Sequence, residues 1–554
     1  MTRWALAALA GVSVLALAGP VPAQQAQPQA PMQERPTAAS QSSRRDAPDE
    51  PLQQSGPVVE RRSERGQQAQ ESKLADSDVA TAPIREIARV TRHSVSVGGR
   101  AIAYTATAGT LTIRDDDGKP IASMFYTAYV ADRAKGEAER PLTFFYNGGP
   151  GSASMWLHMG SFAPIKVVTT APSPTPAAPF KLGPNPDTLL DKTDMVFLDA
   201  IGAGYSRPLG DTKPAAFYGV DEDIDAFARG ITRYVTLAHR WNSPKFLFGE
   251  SYGTTRTAGL VYALRDQGMQ FNGVLILSSI LNYGTRDAGF DHIYNTYMPS
   301  YAATAIYHGK IPKPADEAAF LREVRAWANG PLLVALAKGH DISEAELDAT
   351  ARQMSAYTGI SAAYLKQVNL RLDLSRFRKE LLRDQRRTVG RYDSRFTGID
   401  MDAAGDGPEY DASDTGVSGA FIGTLHDYLE RDLGYQTDMT YRPSGAGINR
   451  AWNWKHKPPG AQFAANVADT AQDLGAAMRQ NPHLKLYSLN GLYDMATPFF
   501  GTEYDIAHMW LDPSLKGNVR FAYYPSGHMV YLNPDALKQM KADVAKFYDD
   551  AVAK

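Results

Sequence analysis

Residues Lys245 to Arg256 read KFLFGESYGTTR, an apolar run that breaks at Gly249 and then continues as a predicted helix. The break is Gly249-Glu250-Ser251-Tyr252-Gly253, a G-x-S-x-G pattern between a strand and a helix. A nucleophile elbow needs this context, because its serine occupies a strained turn where neighbouring side chains would collide with the strand and the helix. The stretch therefore predicts Ser251 as a nucleophile at the end of a buried strand.

Further apolar runs of strand length surround this stretch. They are Leu142–Tyr146, Met195–Asp199, Gly273–Ser278, Leu484–Leu489 and Phe521–Tyr524. Continuous apolar strands that alternate with helical patterns are typical of a mostly parallel sheet covered by helices. Residues 84–130 differ, because they alternate strand-like runs with an Asp-Gly turn, which indicates an antiparallel entry into that sheet. The predicted fold class is α/β.

Residues 282–449 have a different pattern. They are mainly amphipathic and helical, with one predicted helix over Ala362–Arg383, and no buried strand is predicted. About 470 residues follow the N-terminal region, more than one simple core usually needs. We therefore expect an α/β core formed by residues 84–281 and 450–554, with residues 282–449 as an inserted helical lid.

Two further side chains follow predicted strands. Asp494 comes after the strand that ends at Leu489, and His528 comes after the strand that ends at Tyr524. A serine hydroxyl needs an adjacent base, and the base needs a carboxylate that fixes its tautomer. The chain order Ser251, Asp494, His528 is the order of an α/β-hydrolase triad, so the sequence predicts these three residues as catalytic.

Three motifs carry a family resemblance. Asn147-Gly148-Gly149-Pro150-Gly151, Gly249-Glu250-Ser251-Tyr252-Gly253 and Gly527-His528-Met529 together resemble the serine carboxypeptidase family. The resemblance implies an α/β-hydrolase that releases C-terminal residues from peptides through an acyl-enzyme, without a metal or another cofactor. It also implies that the N–H groups of Gly149 and Tyr252 form the oxyanion hole. Asn147 and Glu250 are then expected to bind the terminal carboxylate of the substrate.

That last role has a physical requirement. Two carboxyl groups in contact are not both ionised cheaply, so Glu250 must be protonated if it is to donate a hydrogen bond to the substrate. His528 must at the same time be neutral to act as a base. We therefore expect peptide hydrolysis to be favoured at acid pH.

The sequence departs from the family pattern around these motifs. Phe145-Tyr146 precedes Asn147 in place of Trp-Leu, Ser152-Ala153 replaces Cys-Ser, and Gly253-Thr254 replaces Ala-Gly. These positions line the substrate side, so a side-chain preference does not carry over. The chain also has no cysteine, and therefore none of the disulfides of eukaryotic members. A bacterial secreted member is the expected identity.

The N-terminus predicts export. Residues 1–23 combine Arg3, an apolar stretch and Val21-Pro22-Ala23, as a cleavable signal peptide does, and the apolar stretch is short for a membrane anchor. Residues 24–83 are rich in Gln, Ala and Pro, which is typical of a disordered linker. We expect a periplasmic or extracellular protein without stable membrane insertion after cleavage.

The net charge and one acidic stretch indicate which binding partners are expected. The net charge of −2 provides no basic face for nucleic acid, so peptides are the expected partners. Residues 400–411 hold several Asp residues but match a calcium loop poorly, and an ordinary acidic loop is the preferred interpretation. The alternatives are an esterase or acyltransferase that uses the same triad, and a non-catalytic scaffold, which the intact triad disfavours.

Overall fold

The structure, a computed structural model, describes residues 82–134, 136, 138–287, 289–445 and 447–553. The predicted signal peptide and all but the last two residues of the predicted linker lie outside these residues. None of the described helices is long and apolar enough to cross a membrane.

The strands of the main sheet and of two small hairpins alternate with helices along the chain. The strands are β1 (Ala88–Val97), β2 (Arg100–Arg114), β3 (Pro120–Ala131), β4 (Leu142–Tyr146), β5 (Ile165–Val168), β6 (Lys181–Pro184), β7 (Asp194–Leu198), β8 (Arg207–Pro208), β9 (Lys245–Glu250), β10 (Gly273–Leu277), β11 (Thr388–Val389), β12 (Thr397–Gly398), β13 (Lys485–Gly491) and β14 (Val519–Tyr524). The helices are α1 (Met155–Gly160), α2 (Val220–Leu237), α3 (Tyr252–Asp266), α4 (His292–Tyr307), α5 (Glu317–Trp327), α6 (Leu333–Ala337), α7 (Glu344–Thr358), α8 (Ala362–Gln367), α9 (Leu374–Glu380), α10 (Ala412–Thr415), α11 (Ser418–Asp427), α12 (Ile448–Ala451), α13 (Ala471–Gln480), α14 (Phe499–Ala507) and α15 (Pro534–Val552).

The main sheet is mixed and mostly parallel. Its order is β1-β2-β3-β7-β4-β9-β10-β13-β14, and β8 pairs with β3. The pairs from β7 to β14 are parallel, whereas β1, β2 and β3 enter the sheet as antiparallel neighbours. Strands β4, β7, β9 and β10 are buried along their whole length, because helices cover both faces of a parallel sheet. This is the α/β-hydrolase fold, as predicted.

Parallel strands place their carboxyl ends at one edge of the sheet, where α/β proteins bind their ligands. β4, β9, β13 and β14 end immediately before the loops that carry the candidate site residues. The sheet order puts β9 beside β4 and joins β9 to β13 through β10. The fold therefore gathers these loops at one edge.

Residues 282–449 form helices α4 to α11. Residues 298–389 have an apolar core of their own, which also includes Tyr493 and Met495 beside Asp494. The buried apolar residues from Phe396 to Tyr441 belong instead to the core of the main sheet. Two predictions in this region need correction. The predicted helix Ala362–Arg383 is two helices, α8 and α9, because Asn369 and Leu370 have positive φ angles of 50° and 62° and interrupt the helix. A small hairpin, β11 and β12, occurs where no strand was predicted.

Candidate active site

The nucleophile elbow lies between β9 and α3. Ser251 has φ 60° and ψ −132°, a strained conformation for a residue with a side chain. A Cβ atom at Gly249 would lie 2.3 Å from the Gly253 carbonyl oxygen, and one at Gly253 would lie 2.8 Å from the Tyr146 oxygen. Only glycine allows these approaches, and the Ser251 side chain stays partly exposed. The structure thus places Ser251 on a strained turn between a strand and a helix.

Asp494 and His528 form the hydrogen-bonded pair that a triad requires. His528 Nδ1 lies 2.8 Å from Asp494 Oδ2, and both side chains are buried. The other carboxylate oxygen of Asp494 accepts the N–H groups of Ala496 and Thr497 at 2.8 and 2.9 Å. With its Nδ1 proton donated to Asp494, the His528 ring presents Nε2 as the base.

Burial acts to lower the pKa of His528, but the charge and hydrogen bond of Asp494 outweigh it, with a further contribution from Glu250. The pKa of His528 therefore lies above its usual value of 6.5. This is the shift expected when an aspartate stabilises the imidazolium that forms during the reaction.

Strand β10 connects the nucleophile to the histidine. The Ser251 N–H donates to the Leu277 carbonyl at 3.0 Å, and the Ser278 hydroxyl donates to the His528 carbonyl at 2.7 Å. The described side chains show no hydrogen bond between Ser251 Oγ and His528. Such bonds are often long before substrate binds.

Thr497 is a site residue that the sequence analysis missed. Its hydroxyl lies 2.8 Å from Asp494 Oδ2, 2.8 Å from the Ser278 carbonyl oxygen and 3.1 Å from His528 Nδ1. It therefore fixes the aspartate relative to the histidine. Its position three residues after Asp494 was the available signal, because threonine at that spacing often closes a turn onto an aspartate.

Asn147 and Glu250 are both buried beside the nucleophile, at the ends of neighbouring strands. The Tyr531 hydroxyl donates to Glu250 at 2.9 Å from Oε2 and 3.2 Å from Oε1. Burial raises the pKa of Glu250 to about 7, while the charge of His528 and the hydroxyl of Tyr531 act in the opposite direction. Glu250 therefore carries a proton in a large fraction of molecules at neutral pH. The sequence offered no signal for Tyr531.

The loop after β4 packs against the start of α3. A Cβ atom at Gly148 would lie 2.3 Å from the backbone nitrogen of Tyr252, and Gly149 has φ 103°. The N–H groups of Gly149 and Tyr252 donate no hydrogen bond to any described residue. Two unpaired N–H groups beside a serine at a helix start can stabilise an oxyanion.

A buried ion pair supports this loop. Arg256 on α3 contacts Asp223 at 2.7 Å and donates from Nη1 to the Asn147 carbonyl oxygen at 2.8 Å. Both charged side chains are buried. Arg256 thus fixes the backbone of Asn147 relative to the elbow, a role that the sequence analysis missed.

The acidic loop at residues 400–411 has other partners. Asp400 pairs with Lys379 at 2.6 Å, and Asp402 accepts the N–H groups of Ala404 and Gly405. Within the described ranges, no group of His, Asp and Glu residues is arranged to hold a metal ion.

Part of the chain matches a known protein family. The family described as serine carboxypeptidase matches residues 100–308, a range that contains Asn147, Gly149 and the elbow and that ends before Asp494. None of the curated proteins matches the chain.

A solved structure of low sequence identity shows the fold. Kex1(Δ)p, a prohormone-processing carboxypeptidase from Saccharomyces cerevisiae, is 14% identical with a TM-score of 0.50, and the match covers 81% of this chain and 91% of that one. A proline iminopeptidase from Mycobacterium smegmatis is 14% identical with a TM-score of 0.32, covering 80% and 98%. A carboxyl esterase from Bacillus coagulans is 10% identical with a TM-score of 0.34, covering 80% and 98%. The chain has the α/β-hydrolase fold, and its residues 100–308 match the serine carboxypeptidase family model.

Proposed function

We propose that this protein is a serine carboxypeptidase that removes C-terminal residues from peptides through an acyl-enzyme. Glu250 is the observation that carries the proposal. It is a buried carboxyl group with a pKa of about 7, next to the nucleophile and beside Asn147. A protonated Glu250 can donate a hydrogen bond to a substrate carboxylate, whereas an ordinary ionised glutamate would repel it.

The first half of the reaction forms the acyl-enzyme. Ser251 Oγ attacks the scissile carbonyl carbon while His528 Nε2 takes the hydroxyl proton. The N–H groups of Gly149 and Tyr252 stabilise the oxyanion of the tetrahedral intermediate. The intermediate then collapses, and His528 gives its proton to the leaving amine, which departs as the C-terminal amino acid.

The second half returns the enzyme to its starting state. Water attacks the acyl carbon of the ester on Ser251, and His528 takes a proton from that water. Collapse of the second tetrahedral intermediate releases the shortened peptide, and His528 returns the proton to Ser251 Oγ. The Asp494 carboxylate stabilises the imidazolium at each stage.

The expected preference for acid pH is a comparison of two activities of the same triad. One is the hydrolysis of peptides with a free C-terminal carboxylate, and the other is the hydrolysis of substrates without one. Every substrate needs a neutral His528, but only a free C-terminal carboxylate also needs a protonated Glu250. The ratio of the two activities should therefore be constant well below pH 7 and fall as the pH rises above the pKa of Glu250, about 7.

The test compares peptides as free acids with their C-terminal amides and with simple esters, from about pH 5 to about pH 8.5, a range on both sides of the histidine pKa. We expect the free acids to be trimmed, the amides to resist, and the ratio of peptide to ester hydrolysis to fall above pH 7. Hydrolysis of esters alone, with amides and free acids equally resistant, would instead identify an esterase or acyltransferase. It would also show that Asn147 and Glu250 do not bind a terminal carboxylate.

A further inference from the structure

One segment of the 282–449 region lies directly against both catalytic loops. The Tyr392 carbonyl oxygen accepts the N–H of His528 at 2.6 Å, and the Arg391 carbonyl oxygen accepts the N–H of Met495 at 3.0 Å. The N–H of Arg391 in turn donates to Asp411 Oδ1 at 2.8 Å. The backbone of Arg391 is therefore fixed next to Asp494 and His528.

The Arg391 side chain points toward the same region. Its guanidinium carbon lies 5.2 Å from the centre of the Tyr392 ring, and that ring lies 5.2 Å from the ring of His528. The side chain is half-buried. In the described part of the chain, no carboxylate lies within ion-pair distance of its guanidinium group.

Other arginines around the site all have a carboxylate partner. These pairs are Arg256 with Asp223, Arg286 with Asp505, Arg378 with Asp411, and Arg395 with Asp393. The carboxylates nearest to Arg391 are already used as well, since Asp494 binds His528 and Thr497, and Asp411 accepts backbone N–H groups. Arg391 is thus a cation on a fixed backbone, and its guanidinium interacts with the Tyr392 side chain but with no described carboxylate at ion-pair distance.

Arg391 remains charged in this setting. Burial alone would lower its pKa, but Tyr392, Tyr297, Asp411 and Asp494 face the guanidinium and raise the pKa above its usual value. A half-buried guanidinium has lost part of its hydration, and a carboxylate that binds it in bidentate fashion compensates for that loss. The geometry therefore suits a ligand carboxylate.

Tyr297 on α4 adds a second donor. Its hydroxyl makes no hydrogen bond to the described residues, although its ring stacks on Tyr301 with centres 5.3 Å apart. Burial raises the pKa of Tyr297, and Arg286, Arg391 and Asp494 are among the charged groups that face its hydroxyl.

We propose that Arg391, with Tyr297 beside it, binds an acidic side chain of the substrate, so that the enzyme prefers Asp or Glu at a residue next to the scissile bond. The inference rests on the proposed carboxypeptidase activity and names its substrate class. Asn147 and Glu250 already provide a pair suited to the terminal carboxylate, so the carboxylate at Arg391 is a second one.

The test measures kcat/KM for matched peptides that carry Glu, Gln or Lys at each of the two residues flanking the scissile bond. The variants are Arg391→Gln and Arg391→Lys, with Arg387→Gln as a control, because Arg387 is an exposed arginine in the same segment. We expect the wild type to prefer Glu over Gln by about tenfold or more at one position, as a charge-assisted pair provides. Arg391→Gln should reduce this ratio to about one, because kcat/KM falls more for the Glu peptide than for the Gln peptide, and Arg391→Lys should keep part of the preference.

Three results would overturn the assignment. The wild type could show no preference for Glu, or Arg391→Gln could reduce kcat/KM equally for all peptides, which would indicate a structural role through Tyr392 and His528. Alternatively, Arg391→Gln could reduce the ratio of free-acid to amide hydrolysis and leave the Glu preference intact. That result would mean that Arg391 binds the terminal carboxylate.

A second measurement applies even if the wild type trims no peptide. A fluorophosphonate labels Ser251 through the triad alone, and a peptide bound at the site slows this labelling. Peptides with Glu should protect Ser251 better than their Gln counterparts in the wild type and in Arg387→Gln, but equally in Arg391→Gln. Equal protection in the wild type would refute the role of Arg391, whereas differential protection without trimming would refute only the carboxypeptidase activity.

Discussion

Replacing Glu250 with Gln should change how the stability of the protein depends on pH. Glu250 has a pKa of about 7 in the folded protein and 4.5 as its usual value, because burial disfavours the charged form. A raised pKa means that the folded state binds the proton more tightly. The stabilising contribution of Glu250 to the free energy of unfolding is therefore fully present below about pH 4.5 and is lost as the pH rises through about 7.

The magnitude follows from the two pKa values. Proton linkage predicts that this carboxyl group alone lowers the free energy of unfolding of the wild type by roughly 2–3 kcal/mol between pH 5 and pH 8. Gln has the same shape and keeps an N–H donor, but it does not titrate. The difference in unfolding free energy between Glu250→Gln and the wild type should thus shift by roughly 2–3 kcal/mol in favour of the variant over this range.

Urea unfolding at several pH values measures this difference, with Glu344→Gln, an exposed carboxylate on α7, as the control. The control curve should run parallel to the wild type. The KM of Glu250→Gln for free-acid peptides should also stop rising above pH 7. Parallel stability curves for Glu250→Gln and the wild type would refute the raised pKa, and with it the proposed hydrogen bond to the substrate carboxylate.

Three further predictions concern other parts of the site and its surroundings. Gly148→Ala places a Cβ atom 2.3 Å from the Tyr252 nitrogen, so peptide and ester hydrolysis should both fall by about 10²-fold or more in a protein with a native circular dichroism spectrum. Thr497→Val removes the hydroxyl between Asp494 and His528, and we expect a lower kcat with little change in KM in steady-state assays; a change in KM alone would contradict this role. Burial opposes protonation of His456, but hydrogen bonds to two aspartates raise its pKa to about 9, so its stabilising contribution is present below pH 6.5 and is lost as the pH rises through about 9. Unfolding free energies should therefore decline over this range in the wild type and less in His456→Gln.

The sequence predicts the triad because local signals mark it. Ser251, Asp494 and His528 each follow an apolar strand, and glycines next to each of them mark close backbone approaches. A Cβ atom at Gly491 would lie 2.1 Å from the Gly527 carbonyl oxygen, and one at Gly527 would lie 2.4 Å from the Tyr392 carbonyl oxygen, so both positions require glycine. The roles of residues at strand ends and turns can therefore be predicted from the sequence alone.

The roles of residues that make contacts between distant segments cannot be predicted from the sequence alone. Tyr531 reaches Glu250 across 281 residues, and Arg256 reaches the carbonyl of Asn147 across 109. Neither contact leaves a pattern along the chain, because periodicity reports only which face of an element is buried. The break in the helix predicted over 362–383 has a similar origin, since the tertiary fold imposes left-handed conformations at Asn369 and Leu370.

The 282–449 region contacts the loop that carries His528 and helps to hold that loop in place. Arg395 donates to the Pro525 carbonyl at 3.0 Å and to the Ser526 hydroxyl at 3.1 Å, in the loop that leads to His528. A Cβ atom at Gly527 would lie 2.4 Å from the Tyr392 carbonyl oxygen, so the two segments are in direct backbone contact.

The 282–449 region also supports the positions of Asp494 and His528. Met495, beside Asp494, is buried in the apolar core of the insert, and the backbone of Tyr392 accepts the N–H of His528. The geometry of the aspartate and the histidine thus depends on the insert being folded, even though both residues follow strands of the main sheet. Because the same segment carries Arg391, a substrate contact at the guanidinium would act on a backbone that already holds the catalytic base. The boundaries at residues 282 and 449 therefore mark a change of pattern along the sequence. In the structure, residues on both sides of these boundaries pack together around His528.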